Sequence, residues 1–225
     1  MPWLGLIDKI DRSDLYVVLD TVQFERRGWQ NRNHIAGDGG TQLLTVPVIQ
    51  AGRHEVILDK RIDNTQKWRS KHLRAILDHS YRGTPYLDEY RERISRIYEQ
   101  RWDDLAELSI ATTRLTLEAF GIDTPVVRAS RLGEFPGRKS ELIAQVCAAA
   151  GADTLISGSG ARDYLDTGLL KEHGVEVEWQ GFEHPVYRQH HRGADGFISH
   201  LAAIDLLFNA GPDSLGLLRG ARRPL

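Results

Sequence analysis

A polar segment in the first quarter of the chain holds the residue types best suited to binding a charged small molecule. It runs from Asp20 to Asn33 and contains acidic, arginine, amide and aromatic side chains in close succession. Arginine offers a fixed fork of donors to a carboxylate or phosphate, and amides read hydroxyl and carbonyl groups. A solvated loop whose arginines pair with Glu25 and Asp20 has the same composition, so position alone leaves the binding and structural interpretations open.

A second segment, Ser157 to Asp166, follows a predicted strand and leads into a predicted helix. Such a turn offers free backbone N–H groups and the positive end of a helix to an anion. The segment is not a Walker loop, because no Gly-Lys-Ser/Thr follows, and Asp163 stands where a dinucleotide fingerprint needs its third glycine. The phosphate signal is therefore weak, and a tight turn without a ligand fits nearly as well.

Other reactive residue types give weaker signals. The nine histidines lack the His-x-x-x-His and His-Glu-x-x-His spacings of zinc helices, so no metal site is predicted. Cys147 is the only cysteine and lies among alanines of a predicted helix, which indicates a buried thiol. Ser159 has glycine on both sides but lacks the frame of a nucleophile elbow. Asp205 is a carboxylate in apolar company, and it needs a partner either on a neighbouring helix or in a pocket.

Composition excludes several classes of protein. The 225 residues carry 29 Lys+Arg and 31 Asp+Glu, a net charge of −2, whereas nucleic-acid and membrane-surface binders need a basic face. No apolar stretch approaches the roughly 20 residues of a membrane span, and no signal segment opens the chain. We expect one cytoplasmic domain over residues 1–225, without nucleic-acid partners or membrane insertion.

The elements that must position these residues alternate between strand and helix patterns. A short apolar run, Leu15–Leu19, ends at Asp20 as a buried strand would. Apolar residues at helical spacing predict a helical insertion over approximately 63–121, after which strands and helices alternate again. This order predicts an α/β fold with a mainly parallel sheet flanked by helices, a Rossmann-like layering. Since ligands gather beyond the carboxyl ends of parallel strands, both polar segments are expected to wall one cavity.

The individual elements follow from the same patterns. The predicted strands are Leu15–Leu19, Leu43–Ile49, Glu55–Leu58, Thr124–Ala129, Thr154–Ile156 and Val175–Trp179. A hairpin turn is predicted at Ala51-Gly52-Arg53. Beyond the insertion, the predicted helices are Ser140–Ala150, Tyr164–His173 and Phe197–Phe208.

Blocks along essentially the whole chain resemble the WbqC-like family. They include Pro2-Trp3-Leu4-Gly5, Leu19-Asp20-x-Val22-Gln23-Phe24, Gly28-Trp29-Gln30-Asn31-Arg32-Asn33, Trp68-x-x-Lys71-His72, Asp163-Tyr164-Leu165-Asp166, Pro185-x-Tyr187-x-Gln189 and Asp205-Leu206-Leu207-Phe208-Asn209-x-Gly211. The resemblance implies a role in gene clusters for O-antigen and other surface polysaccharides, and it favours both polar segments as site-forming. Similar members carry an upstream strand with an Ile-His-Gln-Pro-like stretch, which would precede Met1. We therefore expect a chain extended upstream to be more soluble and more active.

These observations predict a transferase or synthase of surface-polysaccharide or related secondary-metabolite biosynthesis. Its substrate is a small, anionic or nucleotide-activated metabolite bearing phosphate or carboxylate, and no cofactor motif is recognised. Asp20 is the predicted general base. The predicted substrate-binding residues are Trp3, Gln23, Phe24, Arg27, Trp29, Gln30, Asn31, Arg32, Ser157, Gly158, Gly160, Tyr164, Asp166, Tyr187 and Gln189. A non-catalytic binding or scaffold protein, and a homo-oligomer whose motif blocks form an interface, are the alternatives.

Overall fold

Short paired strands and nine α-helices make up the described part of the chain, which in this computed structural model comprises residues 1–50, 52, 54–190 and 196–223. The strands are β1 (Tyr16–Val18), β2 (Arg32–Gly37), β3 (Gly40–Thr45), β4 (Val126–Arg128), β5 (Thr154–Gly158) and β6 (Glu176–Gln180). β1 pairs in parallel with β4 and β5 with β6, while β2 and β3 form an antiparallel hairpin. The α/β class is confirmed. Each of these described sheets has only two strands, so Rossmann-like layering is not confirmed.

The helices flank these strands and fill the predicted insertion. They are α1 (Leu4–Asp11), α2 (Trp68–Arg74), α3 (Leu87–Glu99), α4 (Leu105–Phe120), α5 (Ala129–Leu132), α6 (Ser140–Ala150), α7 (Thr167–Glu172), α8 (Ile204–Ala210) and α9 (Ser214–Gly220). A π-helical segment, Ala75–Ser80, continues α2. Three short 3-10 turns are also present, at Ile57–Asp59, Ser159–Ala161 and Gly211–Asp213.

The hairpin lies upstream of the position that the sequence pattern predicted. β2 and β3 are joined at Asp38-Gly39, and Gly39 has a φ of 72°, which a glycine adopts without steric cost. The predicted strand Leu43–Ile49 begins later and ends later than β3. β3 stops at Thr45 because Pro47 has no N–H to donate to a ladder.

The predicted strand Glu55–Leu58 is reduced to one bridge. Val56 pairs with Gln23, and the chain then turns into the 3-10 segment Ile57–Asp59. Residues 51 and 53 of the predicted turn at Ala51-Gly52-Arg53 lie outside the described residues. Gln23 is thereby held against the chain that follows β3 rather than at the end of a sheet.

Two helices predicted late in the chain are shorter than expected. The predicted helix Tyr164–His173 begins only at α7, because the Asp166 carboxylate accepts a hydrogen bond from Leu169 N and caps its first turn. The predicted helix Phe197–Phe208 is helical only from Ile204, since His200 has a φ of 62° that no right-handed helix accommodates.

α1 lies between the main core and the β5–β6 pair. Leu4, Ile7 and Ile10 are fully buried in a core shared with α3, α4 and α8. Towards β6, Gln180 Nε2 donates to Gly5 O at 2.8 Å and to Asp8 Oδ2 at 2.6 Å. A helix turns about 100° per residue, so positions 5 and 8 lie on a different face from positions 3 and 6. The face of α1 that contacts β6 is therefore different from the face on which Trp3 and Leu6 lie.

Candidate functional site

A cavity of about 630 Å³ lies between α1, the β2–β3 hairpin and α4. Its volume is within the range of pockets that bind small ligands. Five of the predicted binding residues line it, namely Trp3, Trp29, Gln30, Asn31 and Arg32. α4 supplies the opposite wall through residues such as Leu105, Ala106 and Leu108. The structure therefore brings the end of the first polar segment and the start of α1 to one cavity.

Two buried polar atoms at this cavity have no hydrogen-bond partner among the described residues. Asn31 is 7% exposed, and its Nδ2 donates to Val46 O at 2.8 Å. Because that carbonyl can only accept, Oδ1 faces away from it and stays unpaired. Arg32 donates through Nη2 to Arg26 O at 2.9 Å, while its Nε is buried and unpaired. Each such atom costs roughly 1–3 kcal/mol, and because both atoms are buried, a ligand in the cavity reaches them only when the Asn31 and Arg32 side chains shift.

Exposed aromatic rings stand at the mouth of the cavity. Trp3 is 40% and Trp29 68% exposed, unusually high for large apolar side chains. The Trp3 ring stacks on His200 with centroids 6.4 Å apart, and Trp29 lies 5.5 Å from His34. Aromatic surface left open beside unpaired polar atoms is typical of a binding site.

Two histidines also line the cavity, and neither was among the predicted site residues. His72 Nε2 lies 3.1 Å from Thr45 O, so Nε2 carries the proton and Nδ1 keeps its lone pair. Burial lowers the pKa of His72 to about 4, partly opposed by the Thr45 hydrogen bond, and the ring is therefore neutral at pH 7. His72 does belong to a quoted Trp-x-x-Lys-His block, which was the available signal.

His200 lies at the cavity mouth in an uncommon backbone conformation. Its φ of 62° is a left-handed value that costs a non-glycine residue about 1–2 kcal/mol. Its Nδ1 lies 2.7 Å from Ser199 Oγ, and its ring is 5.5 Å from the His184 ring. No feature of the local sequence indicates this arrangement, because Trp3 and His200 are brought together only by the tertiary fold.

Asp20, the predicted general base, lies completely buried at the end of β1. Its carboxylate accepts from Arg128 Nε at 2.7 Å, and from Ser130 Oγ at 2.6 Å and Ser130 N at 3.0 Å. Desolvation raises its pKa, but the Ser130 and Arg128 hydrogen bonds outweigh that effect and hold the pKa below its usual value. Asp20 does not line the cavity. These contacts favour a role in joining β1 to α5 over a role as base.

Three other predicted residues of the first segment lie elsewhere. Gln23 and Phe24 line a separate cleft of about 520 Å³, where the buried Lys60 ammonium lies 5.0 Å from the Phe24 ring centre. Lys60 also pairs with Glu55 at 2.5 Å. Arg27 is exposed and lines neither space. The first polar segment is thus divided between two sites.

The second predicted segment is not brought to the 630 Å³ cavity. Gly158 lies beside α1 on the β5 side, where a Cβ would come within 3.7 Å of Lys9 Nζ. Ser157 is half-buried there, while three other predicted residues are exposed, namely Gly160, Tyr164 and Asp166. A binding role for the segment Ser157–Asp166 therefore requires a site separate from the 630 Å³ cavity. The sequence predicted one cavity lined by both polar segments, and of the two only the first lines the 630 Å³ cavity.

Tyr187 and Gln189 bind the buried carboxylate of Asp205. Tyr187 Oη donates to Asp205 Oδ2 at 2.6 Å, and Gln189 Nε2 donates to the same oxygen at 2.8 Å. Burial and the Asp205 charge raise the pKa of Tyr187 far above its usual range, so the phenol keeps its proton. The sequence left a helix–helix hydrogen bond and a pocket residue open for Asp205, and the structure differs from both: Tyr187 and Gln189 lie on a non-helical segment, and Asp205 does not line the 630 Å³ cavity. Asp205 anchors the segment that leads to α8.

Comparison with known proteins identifies the family of this chain. Residues 1–216 match the WbqC-like protein family. The chain belongs to this family. A curated relative, "Uncharacterized protein Rv1507c" of Mycobacterium tuberculosis (strain ATCC 25618 / H37Rv), is 32% identical over 225 residues, 99% of this chain and 95% of the relative. No solved structure matches the chain.

The described residues offer neither a metal site nor a membrane-spanning helix. No three His, Cys, Asp or Glu side chains there are grouped so that they could hold a metal ion. None of the described helices has the length and apolar character to cross a membrane. The 630 Å³ cavity of this WbqC-like protein is therefore defined by Trp3, the segment 29–32, His72 and His200, facing α4.

Proposed function

We propose that this WbqC-like protein is an enzyme that binds a small anionic metabolite in the 630 Å³ cavity. The observation that carries the proposal is Arg32, the one Asp, Glu, Lys or Arg among the described residues that line the cavity, beside the exposed rings of Trp3 and Trp29. Arg32 supplies the positive charge that an anion needs, and Trp3 or Trp29 covers the ligand.

The association of the WbqC-like family with surface polysaccharides supports a role in polysaccharide biosynthesis. The proposal places the protein as a transferase or synthase of O-antigen-type polysaccharide or related secondary-metabolite biosynthesis. It keeps the cytoplasmic location that the sequence predicts. A homo-oligomer is compatible with it, because the cavity is built from one chain.

Proton transfer in this cavity falls to histidine rather than to Asp20. His200 stands at the mouth and His72 inside, and imidazole is the commonest general acid or base. His72 is neutral with a free Nδ1 lone pair, which suits it to accept a hydrogen bond from substrate. Its pKa of about 4 makes it a weak base near pH 7, so proton transfer is assigned to His200. Asp20 lies outside the cavity with its oxygens engaged by Arg128 and Ser130.

The test compares two arginines of the same segment. In a thermal-shift screen of sugar nucleotides, amino acids and carboxylic acids, we expect a stabilising ligand whose effect is lost in Arg32→Ala. A charge-assisted hydrogen bond contributes about 1.5–3 kcal/mol, so the Kd should rise roughly 10- to 100-fold. Arg27→Ala, which removes an exposed arginine outside the cavity, should bind as the wild type does.

The melting temperatures of the ligand-free variants show whether a loss of ligand-induced stabilisation reflects weaker binding or an unfolded protein. Both variants should melt close to the wild type. An Arg32→Ala protein that unfolds without ligand would make Arg32 structural, and equal ligand shifts in both variants would contradict the proposal.

A non-catalytic binding protein is the second candidate, and the engagement of Asp20 in a buried ion pair favours it. It needs the same cavity but no proton transfer. His200→Asn keeps a residue that tolerates positive φ and removes the imidazole. Retained binding with lost turnover would identify an enzyme, whereas ligand binding without turnover of that ligand by the wild type would favour the binding protein.

A further inference from the structure

The walls of the 630 Å³ cavity are mostly apolar. Strand and helix residues face it with aliphatic or aromatic side chains, among them Leu6, Val18, Ile35, Leu44, Leu108 and Ile110. The lowered pKa of His72 has desolvation as its largest cause, which agrees with a site poorly supplied with water. An apolar lining gains free energy by covering the apolar body of a ligand.

Formal charge in the cavity is limited to one cation. Among the described residues that line it, Arg32 is the only Asp, Glu, Lys or Arg. Burial lowers the pKa of the Met1 amino group, which also lies there, to about 6, so that group is mostly neutral above pH 7. Burying a charge without a partner costs far more than a hydrogen bond returns. One arginine fits one anionic group and does not fit the diphosphate of a sugar nucleotide.

The unpaired atoms beside that cation describe the polar end of the ligand. Arg32 Nε is a donor that needs an acceptor, such as a carboxylate oxygen. Asn31 Oδ1 is an acceptor that needs a donor, such as a hydroxyl or an amide N–H. Asn31 directly precedes β2, Arg32 is its first residue, and both line the cavity, so the polar end of the ligand is assigned to this stretch.

From these three features we infer that the ligand is an amphiphilic acid. Its apolar chain lies along α4, and its single carboxylate, with a hydroxyl or amide N–H nearby, meets Arg32 and Asn31. The inference rests on the proposed function and narrows its substrate to a hydroxy- or N-acyl-type acid, excluding the nucleotide-activated class as the buried ligand.

A chain-length series measures the apolar part. Calorimetric titration with 3-hydroxyhexanoate, 3-hydroxyoctanoate and 3-hydroxydecanoate should give one site, with the Kd falling about fourfold per added methylene. Decanoate, which lacks the hydroxyl, should bind about fivefold more weakly than 3-hydroxydecanoate. A Kd independent of chain length would overturn the inference.

Matched variants of α4 test where the apolar chain of the ligand lies. Ala106 is 1% exposed and lines the cavity, whereas Ala111 is half-buried on the same helix and does not. Ala106→Leu should weaken 3-hydroxydecanoate at least tenfold while Ala111→Leu leaves it unchanged. If Ala106→Leu fails to fold, Ser109→Leu, at another lining position of α4, replaces it. Equal binding by the lining and non-lining variants would contradict this site.

The outcome also separates this inference from the proposed function. Binding of UDP-glucose that depends on Arg32, together with a flat chain-length series, would overturn the inference and leave the proposed function standing. If neither the hydroxy acids nor UDP-glucose bind in a way that depends on Arg32, the inference and the proposed function are both overturned.

Discussion

Asp20→Ala is expected to destabilise the protein by about 3–5 kcal/mol, because it removes the completely buried carboxylate that binds Arg128 Nε and leaves Arg128 with Glu107 as its remaining ion-pair partner among the described residues. It also removes the acceptor of two hydrogen bonds from Ser130. For a chain of this length, such a loss lowers the Tm by about 10 °C. Thermal or urea unfolding measures it. Asp14→Ala, at an exposed aspartate just ahead of β1, should change stability little.

The same carboxylate predicts how this loss depends on pH. The pKa of Asp20 is lower in the folded than in the unfolded protein, where it is about 3.9. Its stabilisation is thus fully present above the unfolded pKa and lost as the pH falls through the folded one. The difference in Tm between the wild type and Asp20→Ala should be constant from pH 6 to 8 and shrink below about pH 4. A difference that grows on acidification would contradict the ion pair.

The second large effect is expected at Asp205. Asp205→Ala deprives Tyr187 Oη and Gln189 Nε2 of a common, completely buried acceptor. We expect a loss of about 3–5 kcal/mol, with Asp205→Asn intermediate because the amide oxygen still accepts. Denaturant unfolding provides the measurement, and Asp213→Ala, at an exposed aspartate after α8, is the matched control.

Asp205 also affects the cavity indirectly. The segment that it anchors leads to His200, which lines the mouth, and Gln189 accepts from Ile198 N and donates to Ile198 O. Asp205→Asn should therefore weaken ligand binding more than Asp213→Ala does. If Asp205→Ala melts like the wild type, the carboxylate is not the anchor that its contacts indicate.

The helices were the most predictable elements. α3 and α4 follow from apolar residues at helical spacing, and Gly121, at a φ of 73°, ends α4 where the pattern stops. β2 could not be recognised from alternation, since Arg32, Asn33 and His34 open it with polar side chains. Its pairing with β3 forms it, and the Asp38-Gly39 turn was the local signal for that pairing.

The candidate site was only partly predictable. Residue type and position after a predicted strand indicated Trp29, Asn31 and Arg32, because arginine suits a carboxylate or phosphate, amides read hydroxyl and carbonyl groups, and tryptophan can stack on a ligand. The partner of Asp20 is more than a hundred residues away, so sequence order could not show that Arg128 and Ser130 satisfy it. Neither the α4 wall nor the approach of His200 to Trp3 leaves a local pattern, because both arise from packing between distant elements.

A crystal structure of the protein soaked with 3-hydroxydecanoate, or with any stronger ligand of the thermal-shift screen, tests the central claim most directly. We expect density for the ligand between α4 and the start of β2, with its anionic group within hydrogen-bond distance of Arg32 Nε. Ligand density beside Ser157–Asp166 and Lys9, with the space facing α4 empty, would contradict the site proposed for this chain.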